Sequence, residues 1–238
     1  EELPAGESAR AVGIDLGVKT FAVLSDGTEV GHPKLLAQKE VRLARHQRRM
    51  SRRQGARKGE TKSKRFEKAK RQVAKQHAKV ADARRDFLHK VSTDIVRRYD
   101  TIMIEDLAVA NMVRNRRLAK SISDSGWAQF RTMLGYKAEW YGKRLVVIDR
   151  FSPTSKTCST PGCDEQNTKL ALSDRTWVCT GCGTLHDRDL NAAKNILAAG
   201  LAVAARGEDV RPQRRPSASA RKGRLSSVKR EPTEATAA

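Results

Sequence analysis

Long hydrophobic runs are missing from this sequence. The longest smooth apolar stretch, Ile196 to Ala205, is ten residues, about half of the roughly 20 a spanning helix needs. Hydrophobic residues are 38% of the chain and mean hydropathy is −0.64. Together these exclude an integral membrane protein, and no membrane partner is expected. Acidic residues are also scarce. Lys and Arg number 48 against 27 Asp and Glu, so 48 − 27 leaves a formal charge of +21. A balance so far from neutral points to a polyanionic partner. Cysteine is rare as well. The chain has four, in two close pairs, which suits a metal site in a reducing compartment and not a disulfide framework. No secretory signal opens the chain, and there are no internal repeats. The first residue is Glu1, not Met, so the expectation is a fragment of a longer protein.

The length of 238 residues gives one large domain, or one with a small companion, at roughly 150 residues per domain. Residues 1–10 are polar and read as a disordered lead-in. The β-branched run from Ala11 continues through Phe21-Ala-Val-Leu24. Asp26-Gly27 then breaks it before Glu29-Val30, which predicts a β-hairpin turning at that pair. Residues 33–54 are helical and strongly basic, and 55–64 form a loop by composition. From Arg65 to Tyr99, apolar residues recur at four and seven (Val73, Val80, Phe87, Val91, Ile95). The two basic stretches predict an antiparallel helical hairpin within residues 33–100. Thr101–Leu107 reads as a buried strand, 108–126 as a polar basic loop, and 127–141 as an amphipathic helix. Leu145–Ile148 is a further strand, and Leu190–Ala205 an alanine-rich helix. The tail 206–238 has too few large apolar side chains to offset its ordering entropy, and reads as disordered.

Four residues separate Cys158 from Cys163, two separate Cys179 from Cys182, and fifteen separate the pairs. Each pair can place two thiolates on a tight knuckle. Two knuckles complete a tetrahedral sulfur cage, the donor set of a closed structural Zn²⁺ site. The segment is too short for its own core, so the metal would supply much of its folding energy, on the order of 10 kcal/mol. The bland reading is four unrelated buried thiols. His186 lies close, but four sulfurs already fill the cage.

Three acids stand at strand or helix edges: Asp15 in Gly-Ile-Asp-Leu-Gly, Glu105 after Ile-Met-Ile, and Asp187 or Asp189 before the last helix. Such edges are where an open α/β sheet presents ligands. Carboxylates from distant segments can converge there on Mg²⁺, and two such ions can clamp a phosphodiester displacement. The bland reading for each acid alone is a cap or a salt-bridge partner, and Asp187 fits the N-cap of the last helix. Between Arg42 and Arg71 there are fourteen Lys or Arg and two acids. Arg45, Arg48, Arg49, Arg52, Arg53, Lys64, Arg65, Lys68 and Arg71, with Arg116 and Arg117, read as a phosphate-tracking surface. The bland alternative is a solvated helix pair. Trp127, Phe130 and Trp177 can stack on bases, although core packing is expected of the first two; Trp177 stays open.

The segments GIDLGVKTFAVLSDG, IMIEDLAVANM, FSPTSKTCS…C…CTGC and HDRDLNAAKNIL resemble, in that order, the TnpB (OrfB) family of insertion sequences, related to type V CRISPR effector nucleases. The resemblance spans about Val12 to Asn195. It implies an α/β fold, a ribonuclease H-like (RuvC) mixed sheet flanked by helices, with the basic helical hairpin and an inserted zinc ribbon. The implied organisation is a nuclease core at 11–151, a ribbon at 152–187 that binds target nucleic acid, and a last core helix at 188–205. The family's Asp, Glu, Asp triad falls on Asp15, Glu105 and Asp189, with Asp187 as second choice. Its zinc ligands fall on Cys158, Cys163, Cys179 and Cys182, the first pair spaced by four residues where two are common. The activity implied is Mg²⁺-dependent DNA cleavage by a two-ion mechanism, with one structural Zn²⁺, DNA and a guide RNA as partners, and a cytoplasmic, nucleoid-associated setting in a prokaryote. The family's large N-terminal recognition region has no counterpart here. The chain would then be a C-terminal portion or the product of a truncated gene, for which guided activity is not expected. Two other classes compete: a non-catalytic zinc-ribbon nucleic-acid-binding protein or inactive transposase fragment, and an actin-like ATPase. The ATPase reading rests on GIDLG alone and lacks a second phosphate turn and a glycine-rich adenosine loop.

Overall fold

The computed structural model describes residues 10–54, 61–171 and 173–206. The expected lead-in, most of the 55–64 loop and nearly all of the tail lie outside the described residues. Five strands form the main sheet: β1 (Ala11–Leu16), β2 (Thr20–Leu24), β3 (Glu29–Gly31), β4 (Thr101–Glu105) and β5 (Arg144–Ile148). Their order is β3-β2-β1-β4-β5. The first three form an antiparallel meander, and β4 and β5 join parallel to β1. The sheet is therefore mixed. The hairpin expectation was incomplete at one point. The chain reverses at residues 17–19 as well as at Asp26-Gly27, with Gly17 donating its N–H to the Phe21 carbonyl.

Alternation in β1 and β4 gives the sheet two different faces. Val12, Ile14, Ile102 and Ile104 point to one side. There they meet Leu88, Ile95 and Val96 of α2 (Lys64–Arg98) and Trp127, Phe130 and Leu134 of α5 (Trp127–Trp140). Met103, Val146 and Ile148 point to the other side and pack on Ile196 and Leu197 of α6 (Arg188–Ala205). The result is three layers, with α2 and α5 above the sheet and α6 below.

The third layer sits unusually close. A Cβ added at Gly13 would lie 2.2 Å from the Ala193 carbonyl oxygen and 2.5 Å from the Leu197 nitrogen. One added at Gly200 would lie 2.1 Å from Met103 Cγ. Only glycine permits either approach.

Helix α1 (Leu35–Ser51) pairs with α2 as the expected basic hairpin. Helix α2 starts on Ser63, whose Oγ accepts the Phe66 N–H. Helix α1 has no cap of its own; its Leu36 N–H is accepted at 3.0 Å by Asp124. Asp124 also takes a 2.8 Å hydrogen bond from Arg84 of α2. It belongs to α4 (Ala119–Ser125), which with α3 (Val109–Met112) replaces the loop expected over 108–126. The sequence hides both helices because they are short and polar, and their order comes from contacts such as buried Ile122 and Asp124.

Gly13→Ala should push α6 off the sheet. Because the obstruction is backbone, the expected cost is at least the roughly 1–3 kcal/mol of an overpacked core site. The check is a chemical denaturation midpoint, with Gly27→Ala as a control that meets no neighbouring atom within 4 Å but carries its own positive-φ strain. A smaller loss at position 13 than at 27 contradicts the close-packing argument.

Candidate functional site

Parallel pairing carries Asp15 and Glu105 to the same sheet edge. Ile14 lies opposite Ile104, so the next residues along, Asp15 and Glu105, are neighbours at the C-terminal ends of β1 and β4. By alternation both turn toward the α6 side, as Gly13 and Met103 do. Helix α6 supplies the third acid. Ala193 and Leu197 sit on Gly13. One helical turn before Ala193 comes Asp189, on the same stripe. Two strand residues beyond Gly13 advance about 6.6 Å, which four to five helical residues match. Asp189 is thereby brought near Asp15, close enough for its charge to act on the Asp15 carboxyl.

The electrostatics agree with that placement. The Asp15 carboxyl is pushed up to about 7, first by burial, then by the charges of Asp189 and Glu105, with Arg188 and the Leu16 N–H pulling the other way. Glu105 is also raised, by burial and then by Asp106 and Asp149. Such crowding of like charge favours protons or cations. The oxygens do not close to ligand spacing. Among the described residues, the four cysteines are the one cluster of three or more His, Cys, Asp or Glu groups tight enough to share an ion. The three acids are neighbours at one sheet edge, and their role as a shared cation site is a proposal taken up below.

Asp187 does something else. It ends β7 (Leu185–Asp187) and N-caps α6, its Oδ1 accepting the Leu190 N–H at 2.9 Å. Asp189 instead acts on Asp15 through its charge and contacts Arg175 at 3.3 Å.

The cysteines lie beside this edge. Their four sulfurs all fall within 4.8 Å of one another. Cys158–Cys182 and Cys163–Cys179 are each 3.6 Å apart, far beyond a disulfide and close to the edge of about 3.8 Å of a tetrahedron with 2.3 Å metal–sulfur bonds. The donor set and its spacing fit Zn²⁺. Hydrogen bonding with Thr184 and then Thr160 holds the Cys182 thiol low. Cys163 goes up despite a hydrogen bond from the Glu165 backbone, because burial and three neighbouring sulfurs resist a further charge. His186 is buried, with Nε2 3.1 Å from Cys158 Sγ. Its ring packs 4.8 Å from Trp177, which is itself buried with Leu170, Cys158 and Cys179. Trp177 of β6 (Thr176–Val178) is thus part of the small core and offers no face to a base; Trp127 and Phe130 are core as well.

Sequence reasoning missed two sets of residues. Asn191 and Asn195 stitch the cysteine segment to α6. Asn191 donates to Thr157 O at 2.7 Å and accepts from Ser159 N at 2.9 Å, and Asn195 donates to Thr154 O and Thr157 O, both at 2.7 Å. Two asparagines spaced by four inside a helix were the available signal, since asparagine is a poor helix former. The second set is Asp106 with Arg131 and Arg150, which both hydrogen-bond to it. Burial would raise Asp106, but those hydrogen bonds outweigh it and hold the carboxyl low. The basic residues named above are exposed on α1, the start of α2 and the 113–118 turn, apart from half-buried Arg53, which donates to the Arg65 carbonyl. A Lys120–Glu40 ion pair ties that turn's end to α1.

Two family models match the chain. The OrfB_IS605 family, described as a probable transposase, covers residues 1–116, and the Cas12f1-like TNB domain covers 127–196. The chain is similar to the TnpB (OrfB) family over its first half and to the Cas12f1-like TNB domain over most of its second. A relative from Streptomyces pristinaespiralis, named provisionally as an RNA-guided DNA endonuclease, is 50% identical over 98% of this chain and 55% of its own length. InsQ of Escherichia coli K12, named in the same way, is 36% identical over 97% of this chain and 56% of its own. The chain therefore spans about half the length of these curated relatives. Its fold resembles part of a Cas12f1 chain solved by cryo-EM in complex with sgRNA and target DNA. That match has a TM-score of 0.54 at 19% identity, over 83% of this chain and 51% of that one. No helix among the described residues is long and apolar enough to cross a membrane.

The raised Asp15 carboxyl fixes a sign for stability. Unfolded, Asp15 loses its proton near 3.8; folded, near 7. In metal-free buffer, stability should fall as pH rises from about 4 to 7. Asp15→Asn removes this penalty, so in EDTA the variant should melt higher than wild type at pH 8 and converge with it near pH 4. A variant that melts lower at pH 8 contradicts the crowded-carboxylate geometry.

Proposed function

We propose that this chain is the RuvC-type nuclease core and zinc ribbon of a TnpB-type DNA endonuclease, divided as 11–151 with 188–205 for the core and 152–187 for the ribbon. The carrying observation is that β1, β4 and α6 bring Asp15, Glu105 and Asp189 to one sheet edge, where burial and mutual repulsion push Asp15 to about 7. Carboxylates are hard oxygen donors, so Asp15, Glu105 and Asp189 would hold Mg²⁺. Bound there, Mg²⁺ neutralises charge developing on a phosphodiester. Cys158, Cys163, Cys179 and Cys182 would hold Zn²⁺, which fastens the ribbon beside the edge.

The remaining roles belong to the protein alone. Asn191 and Asn195 lock the ribbon to the helix that carries Asp189. The exposed arginines and lysines of the α1–α2 hairpin track the phosphates of DNA or a guide RNA, without reading sequence. A guide, by base pairing, would supply the specificity. The relatives' names support an endonuclease, and this chain's share of their length makes its independent guided activity a matter for experiment. Asp187, occupied as a cap, is assigned no metal.

The test is cleavage of a labelled single-stranded DNA by the purified chain with Mg²⁺. Asp15→Ala and Asp189→Ala should each abolish it, by at least about a hundredfold. Asp187→Ala should retain most activity while losing roughly 1 kcal/mol of stability, as cap removal does. Equal loss from Asp187→Ala and none from Asp189→Ala would reverse the assignment. Cleavage unaffected by Asp15→Ala would end it.

A further inference from the structure

Neither the carboxylate edge nor the sulfur cage uses His186, which is 7% exposed. It stands at the middle of β7, directly opposite Trp177 of β6 in an antiparallel pair. Each of these three-residue strands buries only its middle side chain. Alternation therefore puts both rings on the same face of the pair, toward the cysteines. The rings pack 4.8 Å apart and tilted by 34°. The indole restricts how the imidazole can turn, and the imidazole Nε2 ends 3.1 Å from the sulfur of buried Cys158.

Four thiolates around one Zn²⁺ leave two negative charges in a site largely removed from water. Charge so placed needs hydrogen-bond donors. Cys182 hydrogen-bonds with Thr184 and Thr160, and Cys163 with the Glu165 backbone. Cys158 has His186 in the corresponding place. A metal-bound thiolate carries no proton and can only accept, so this contact requires the ring hydrogen on Nε2.

We propose that His186 donates its Nε2–H to the Cys158 thiolate when the cage holds Zn²⁺, fixing the direction of that ligand and strengthening retention of the metal. The proposal rests on the zinc reading and adds a positioning residue to it. His186 acts from outside the cage, because four sulfurs within 4.8 Å of one another already complete a tetrahedral set. The role is distinct from packing: a phenyl ring fills the same space against Trp177 and offers Cys158 no donor.

The test is the Zn²⁺ affinity of the full chain, measured by competition with a chromophoric chelator. His186→Phe keeps a ring and removes the donor. Its affinity should fall roughly 10–100-fold, the usual cost of losing the partner behind a metal ligand. His186→Gln returns an amide N–H at similar reach and should recover most of that loss. In nitrogen NMR spectra of the Zn²⁺-loaded wild type, the His186 ring should carry its hydrogen on Nε2. With Co²⁺ in place of Zn²⁺, wild type and His186→Phe should give the same ligand-field absorption, since all four ligands are sulfur in both. Equal Zn²⁺ affinity for wild type and His186→Phe overturns the proposal. So does His186→Gln binding no tighter than His186→Phe, or a ring with hydrogen on Nδ1 alone. A Co²⁺ spectrum that changes in His186→Phe overturns it too, by making His186 a ligand. Zinc content separates this role from the reading beneath it. A chain that takes up no Zn²⁺ removes the cage and the role together. One Zn²⁺ per chain with equal affinities removes only the role of His186.

Discussion

Helix α6 can lie against the sheet only because Gly13 and Gly200 have no side chains. Everything at the candidate site follows from that close approach. Side-chain-free contact at Gly13 seats α6 on β1, and the turn of helix before that contact carries Asp189 near enough to act on Asp15. Pairing of β1 with β4 adds Glu105. Three carboxylates are thereby held together by backbone packing and not by attraction for one another. Burial of Asp15 beside the charges of Asp189 and Glu105 is a standing cost to the fold, carried by the apolar cores on the two faces of the sheet.

The same helix organises the cysteine cluster. Asp187 caps α6 where β7 ends, and Asn191 and Asn195 hold the backbone of residues 154–159. Metal in the sulfur cage would order the strand pair that leads into the cap, so the two centres are mechanically joined through one turn of helix. The opposite face of the sheet carries different chemistry. There α3 and α5 leave an apolar cavity whose rim is shared with Glu105.

Much of this was legible in the sequence, for physical reasons that differ by element. The strands were readable because Val12, Ile14, Ile102 and Ile104 are β-branched and buried. The basic hairpin was readable because its apolar residues keep helical spacing under a heavy load of charge. The cysteine spacing announced the cage, since only sulfur pairs at such intervals make knuckles. Three matters were hidden. The short helices α3 and α4 draw their order from tertiary contacts, including Asp124 capping α1 from 88 residues away. The Asp187 cap was legible in the sequence, but which acid comes near Asp15 depends on how α6 packs on the sheet. The apolar cavity is formed by the junction of four separate segments, and no local pattern marks it.

The central claim is that the Asp15, Glu105 and Asp189 edge is a divalent-cation site. The most direct measurement is the anomalous difference density of Mn²⁺ in crystals of this chain grown with the ion. The expected result is a peak bonded to oxygens of all three carboxylates, which close to ligand spacing around it. Mn²⁺ bound only elsewhere, with these side chains still apart at saturating ion, would contradict it.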